Sequence, residues 1–183
     1  MLRFKAHLPK IQLKLLKIKY GKNLKMIGWP FIFKFPDANL EIGDDCRINS
    51  SFLSNLLGIY QRSIIIAKGK SNIKIGNRVG ISGTTIYAWE DIEIGDDTII
   101  GANTKIFDTD FHPLDANDRL HGDISSVLKK KVVIGKNVFI GCNCLILKGT
   151  VLEDHCVVGA GSVVTGFHEK GSVIAGNPAR RIR

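Results

Sequence analysis

The sequence predicts an all-β fold: a parallel β-helix of hexapeptide repeats, with a short N-terminal helical cap and an excursion loop around residues 107–133. Three observations predict it. An aliphatic residue recurs at every sixth position through Ile134, Ile140, Ile146, Leu152, Val158 and Val164, with earlier runs at Ile94, Ile100 and Ile106, at Ile75 and Ile81, and at Ile42 and Ile48. Glycine often follows it, as at Gly43, Gly76, Gly95, Gly101, Gly135, Gly141 and Gly159. Four positions after it the residue is small, as at Cys46, Val79, Thr98, Thr104, Val138, Cys144, Thr150, Cys156 and Ser162. A period of six suits neither a helix at 3.6 nor a single strand at 2. It suits a triangular coil, three short strands to a turn, with the aliphatic inside and successive turns stacked about 4.8 Å apart. Glycine is expected to tolerate unusual dihedrals at the corners.

The elements follow in chain order. Ile11, Leu15 and Ile18 stand at helical spacing with Lys14 and Lys17 off the stripe, so a short helix is expected to cover the open first turn. Residues 1–36 are therefore assigned to a basic cap segment and 37–183 to the β-helix domain. Residues 49–72 break the rhythm, as a distorted coil or a loop. Ile75 and Ile94 are nineteen residues apart, so one corner is expected to carry an extra residue. Cys46, Cys144 and Cys156 share the small-residue slot and are assigned to packing. The pattern fails at Lys170, where the coil is expected to end.

Charge is distributed unevenly. Residues 1–36 hold nine lysines and arginines and no acid, which leaves the rest with 17 basic and 17 acidic residues. That marks a basic surface segment rather than a basic domain, so no nucleic-acid partner is expected; a solvated face or contact with anionic lipid is. No apolar run approaches the roughly 20 residues of a spanning helix. The lysine-interrupted start does not read as a signal peptide, and a cytoplasmic location is expected.

The step from Ile106 to Ile134 is 28 residues, about ten more than one turn of the coil, and a polar excursion of that length in a compact repeat is usually functional. It contains Asp108, Asp110, His112, Asp115, Asp118, His121 and Asp123. A histidine flanked by carboxylates suits general-base chemistry, because imidazole titrates near neutrality and a carboxylate can fix its tautomer. Ordinary solvated turns share this composition. Zinc would need converging ligands, and His7, His112, His121, His155 and His168 lack that spacing, so no metal is expected.

The repeats, the histidine in DTDFHP and the ending VIGKNVFIG…VVGAGSVVTG…AGNPARRIR resemble the sugar O-acetyltransferases of the hexapeptide class, of the maltose and galactoside type and of bacterial surface-polysaccharide assembly. The resemblance covers about residues 40–183 and implies a left-handed coil, acetyl-coenzyme A as cosubstrate and a homotrimer with active sites between subunits. It implies His112 as catalytic base, with Asp110 or Asp115 to orient it. Gly141, Cys142, Gly159, Ala160, Thr165 and Gly166 would line the pantetheine arm, and Arg180 and Arg183 would meet the coenzyme's charged end. Ser82, Tyr87 and Trp89 are the candidates for contact with a small or lipid-linked sugar. The galactoside-type sugar-binding Asn is missing from GISGTTIYAWE, which leaves the acceptor open. Transfer to an amino sugar, a β-helix metalloenzyme and a non-catalytic β-helix binding module remain the rivals.

Overall fold

The computed structural model describes residues 8–183, and from Lys19 onward the chain winds as a left-handed coil of short strands. Three sheets of seven, eight and six strands, parallel except for the last strand of the eight, form the faces of a triangular prism. Face A starts with Lys19–Tyr20, face B with Lys25–Gly28 and face C with Phe31–Lys34, and the chain visits A, B and C in turn.

The sixfold repeat produces three interior columns. Face A stacks Ile42, Ile75, Ile94, Ile134 and Leu152. Face B stacks Met26, Ile48, Ile81, Ile100, Ile140, Val158 and Ile174. Face C stacks Ile32, Ile65, Ile86, Ile106, Ile146 and Val164. All are buried in one continuous core. Each contributes about 1.5–3 kcal/mol by leaving water, so the columns, not the two- to four-residue strands, hold the prism together.

The glycines have a different cause from the one expected. Gly43, Gly76, Gly95, Gly101, Gly135 and Gly141 keep negative φ, and the left-handed corner residues are Asp45, Arg78, Asp97, Asn103, Asn137, Asn143 and His155. What excludes a side chain is the next turn of the coil: a Cβ on Gly43 would lie 2.5 Å from the Gly76 carbonyl oxygen, and one on Gly95 2.5 Å from Gly135. The slot four positions on does more than fit small groups. Thr98 and Thr104 donate their hydroxyls to the carbonyls of Gly135 and Gly141 at 2.9 Å, and the Cys46, Cys144 and Cys156 thiols point at carbonyls of the next turn in the same way. Burial pushes these three thiols up.

Several expected boundaries move. The coil is under way at Lys19, because Lys19–Tyr20, Lys25–Gly28 and Phe31–Lys34 each pair with the turn below, so residue 36 is not the edge of the cap. The helix α1 (Leu8–Leu15) does cover the open end, but not through the Ile11 and Leu15 stripe. Those side chains are 53% and 78% exposed, and Leu13, fully buried, enters the core with Ile18. Gln12 Nε2 donates to the Ile32 carbonyl at 2.8 Å, satisfying an acceptor on the first strand of face C.

The nineteen-residue step hides two deviations. Ile81 and Ile86 pair with Ile100 and Ile106, so the B-to-C step is one residue short there, and the C-to-A step to Ile94 is two long. The 49–72 irregularity narrows to a loop between Arg47–Ser50 and Ile64–Ala67. It is pinned where Asn103 Nδ2 donates to Gly58 and Gln61 Nε2 donates to Gly83. The coil passes Lys170 and ends on Val173–Gly176, which Ala179–Arg181 folds back against as an antiparallel strand.

Candidate functional site

The long excursion leaves the C-to-A corner after Lys105–Phe107 and returns at Val132–Ile134. Its two limbs pair with each other: Thr109 bridges Lys129, Asp110 N–H donates to Leu128, and Lys130 N–H donates to the Asp108 carbonyl. The far end carries a short helix, α2 (Ala116–His121), closed by Gly122 in the left-handed region.

His112 sits exposed at the bend of the first limb. The preceding residue, Phe111, has φ +63°, a conformation that a bulky side chain adopts only when its surroundings enforce it. Its N–H donates to Thr109 Oγ1, and its ring packs on Tyr87 at 5.0 Å and on Phe107 at 5.3 Å between centroids. Tyr87 is therefore half-buried under the turn that carries His112, and burial raises its phenol. Asp108 is fully buried and accepts the N–H groups of Trp89 and Glu90 at 2.8 Å, tying the arm to the turn above; burial pushes this carboxyl up.

The two orienting candidates separate. Asp115 caps α2, its Oδ1 accepting the N–H groups of Asn117 and Asp118. Asp110 pairs with Lys148 Nζ at 2.6 Å through Oδ1, while its Oδ2 is buried with no partner. Among the described residues neither carboxylate hydrogen-bonds the His112 ring. Lys148 was missed from sequence, although the register shows where it lies: Ile106 pairs with Ile146, which puts residue 148 one turn beneath residue 108.

The coenzyme candidates occupy two corners. Gly141–Cys142 and Gly159–Ala160 stack at the B-to-C corner below Gly101. A Cβ on Gly141 would lie 2.6 Å from Ala160 N, so only small side chains border this edge. At the A-to-B corner, Asp44 N–H and Lys136 N–H donate to the side chains of Asn77 and Asp154 one turn down. At the B-to-C corner the matching positions hold Cys and Ala, and among the described residues the N–H groups of Cys142 and Ala160 find no acceptor. A smooth edge carrying free donors fits a thin chain with amide carbonyls, such as pantetheine. Thr165 and Gly166 lie at the C-to-A corner instead, and a side chain on Gly166 would meet open space. Arg180 and Arg183 stay near the last turn through the terminal hairpin, and Arg183 exchanges backbone hydrogen bonds with Val173.

The sugar candidates divide likewise. Ser82 is buried at the B-to-C corner, its Oγ accepting from Asn49 Nδ2 at 3.1 Å. Trp89 is on the His112 side, but Lys68 Nζ lies 3.7 Å from its ring centroid, so that face is not free to stack on a sugar. Among the described residues no three His, Cys, Asp or Glu side chains converge as metal ligands, and no helix is long and apolar enough to cross a membrane.

The comparisons with known proteins agree with this architecture. The family model "Hexapeptide repeat of succinyl-transferase" matches residues 131–166. The chain is 28% identical over 169 residues to the putative lipopolysaccharide biosynthesis O-acetyl transferase WbbJ of Escherichia coli, covering 90% of this chain and 81% of that protein. It is 37% identical over 114 residues to the galactoside O-acetyltransferase of the same organism, 54% of whose length it spans. It is 37% identical over 170 residues to the putative acetyltransferase YJL218W of Saccharomyces cerevisiae, covering 90% and 85% of the two chains. The solved structure of AntD, an N-acyltransferase from Bacillus cereus in complex with dTDP-4-amino-4,6-dideoxyglucose and coenzyme A, superposes with a TM-score of 0.71 at 24% identity over 95% of this chain and 88% of that one. With that likeness across nearly the whole chain and the repeats stacked as a left-handed prism, the chain belongs to the hexapeptide-repeat acetyltransferases, which draw their acetyl group from acetyl-coenzyme A.

Proposed function

We propose that this protein moves an acetyl group from acetyl-coenzyme A to a sugar hydroxyl in surface-polysaccharide assembly, with His112 as general base. The observation that carries the reading is the placement of His112, exposed at the tip of a rigid aromatic-backed turn, with Asp110 clamped by Lys148 two residues away. A sugar hydroxyl is too weakly acidic to attack a thioester unaided at neutral pH. In the proposed ternary complex, His112 takes the hydroxyl proton as the oxygen attacks the thioester carbonyl. A backbone N–H holds the tetrahedral oxyanion, the carbon–sulfur bond breaks, and the proton passes to the departing thiolate. Asp110, through its unpartnered Oδ2, is the group placed to orient the imidazole.

In one chain His112 stands at the C-to-A corner, while Gly141–Cys142 and Gly159–Ala160 line the B-to-C corner across face C. The assembly that joins these two edges is a homotrimer, with His112 from one subunit facing the coenzyme edge of the next. WbbJ supports a hydroxyl acceptor in polysaccharide assembly. A second reading, transfer to the amine of a sugar nucleotide, is supported by 25% identity over 182 residues to the dTDP-4-amino-4,6-dideoxy-D-glucose acyltransferase of Escherichia coli. Matched hydroxyl and amine acceptors separate the two. The exposed Ile11 and Leu15 of α1, beside Lys14 and Lys17, support peripheral contact with an anionic membrane on the cytoplasmic side, where a lipid-linked acceptor is within reach.

His112→Ala tests the assignment. Turnover, followed as release of the coenzyme A thiol, is expected to fall at least about a hundredfold with coenzyme affinity unchanged, since the change removes a base and not a binding group. An unaltered rate removes His112 from the mechanism.

A further inference from the structure

We infer that the pocket beside Trp89 binds a phosphoryl group carried by the acceptor sugar, an inference that rests on the acetyl-transfer reading above. The pocket has a volume of about 400 Å³ and its lining includes Lys70, Trp89, Glu90, Asp91 and Lys129, with Lys68 against the indole at its edge. Lys68 Nζ and Lys129 Nζ lie 3.7 and 5.5 Å from the Trp89 ring centroid, so the indole gathers two ammonium groups at one site. Among the described residues none of the three lysines forms an ion pair, whereas the neighbouring Lys131 and Lys148 are paired with Glu93 and Asp110. Two acids also face the pocket. Asp91 is engaged, its Oδ1 accepting from both the N–H and the side-chain amide of Asn72, and Glu90 is exposed. Lys70 and Lys129 in the lining, with Lys68 on the indole, repel one another, and a phosphoryl group in the pocket would relieve that repulsion through charge-assisted hydrogen bonds.

Position along the prism distinguishes the acceptor's phosphate from the coenzyme's. Lys68 and Lys70 lie on the corner between Ile64–Ala67 and Asn72–Ile75, and Trp89 on the same corner one turn on. Lys129 comes from the excursion that carries His112. The coenzyme candidates Gly141, Cys142, Gly159, Ala160, Thr165 and Gly166 all lie on later turns, and Arg180 and Arg183 lie beyond them. His112 stands between the two groups, so a donor on one side and a phosphorylated acceptor on the other would meet at the imidazole. This pocket also explains why Trp89 carries lysine on its face and is not left bare for a sugar ring.

The test is calorimetric titration of inorganic pyrophosphate into the full-length protein saturated with coenzyme A, which fills the coenzyme's own phosphate contacts. Binding is expected, weakened at least tenfold in the double variant K68A/K129A and retained in K68R/K129R, with coenzyme A affinity the same in all three. Trp89 emission in a W29F background should respond to pyrophosphate and lose that response when Lys68 and Lys129 are replaced. Uridine diphosphate and farnesyl diphosphate form the next two arms, and the tighter of them names the source as nucleotide-linked or lipid-linked. No pyrophosphate binding to the coenzyme-saturated protein, or equal affinity in K68A/K129A, overturns the inference. Because binding is read without turnover, the two readings fail separately. Protein that transfers acetyl groups but ignores pyrophosphate refutes the pocket alone, and protein that binds pyrophosphate but transfers nothing refutes the catalytic reading alone.

Discussion

Asp110 is held by one oxygen only. Lys148 takes Oδ1 at 2.6 Å and leaves Oδ2 buried and unpartnered, and the proposed role of that second oxygen is to orient the His112 imidazole. Lys148→Met should therefore lower kcat about tenfold, which is about 1.4 kcal/mol and near the low end for a hydrogen bond to a charged group. The KM for acetyl-coenzyme A should not move, the acidic limb of the pH–rate profile should shift, and Lys148→Arg should recover most of the loss. A uniform fall in stability and activity, without that shift, reduces Lys148 to a structural tie. The acidic, histidine-bearing break that carries His112 and Asp110 was legible in the sequence, because a strict repeat makes its own interruption visible. The different engagements of Asp110 and Asp115 were not: both flank the histidine, and only the fold shows that Asp110 pairs with Lys148 while Asp115 caps the first turn of α2.

At the scale of the element, α1 does two jobs with two faces. Leu13 and the Gln12 side chain close the open end of the prism, while Ile11, Leu15 and Lys14 face outward. Leu13→Ala should cost about 2–5 kcal/mol, read as a lower denaturation midpoint, because it empties a fully buried site. Replacing Ile11 and Leu15 together with Ser should leave that midpoint almost unchanged and instead weaken co-sedimentation with anionic vesicles, in a salt-sensitive way. Equal destabilisation by both changes would show that the outer face is packed against protein. The stripe of Ile11, Leu15 and Ile18 was misread because the helix stops at Leu15. Ile18 then enters the core from the turn that follows, and the helical phase no longer ties it to Ile11. The sixfold pattern, by contrast, located nearly every strand of the regular coil, since each aliphatic must enter the same interior.

At the scale of the whole molecule, the excursion that carries His112 and the proposed coenzyme edge at Gly141–Cys142 and Gly159–Ala160 lie on different edges of one face. The expected trimer should therefore show complementation. His112→Ala subunits and Cys142→Trp subunits, each inactive alone, should regain activity when co-expressed, because some interfaces then pair an intact histidine with an intact coenzyme edge. Mixed oligomers that stay inactive, or an active species with the mass of one chain, would place the complete site within a single subunit.

By itself the sequence determined the coil, the depth of its core, the position of the break and the histidine within it. These are periodic or local facts, since a residue six positions on must meet the same wall, and an interruption must leave the prism where the period fails. Only the tertiary structure decided what depends on stacking between turns. It decided that glycine follows the aliphatic because the next turn sits against it and not because of its own dihedral, that Lys148 reaches up to Asp110, and that Phe111 is forced into the left-handed region by Tyr87 and Phe107. It also gathered Lys68 and Lys129 around Trp89 from segments some sixty residues apart. Such contacts run perpendicular to the chain, and their partners are set by how many residues each corner absorbs. A single extra or missing residue there shifts the period locally, as between Ile81, Ile86 and Ile94, and the neighbouring turn decides which corner absorbs it.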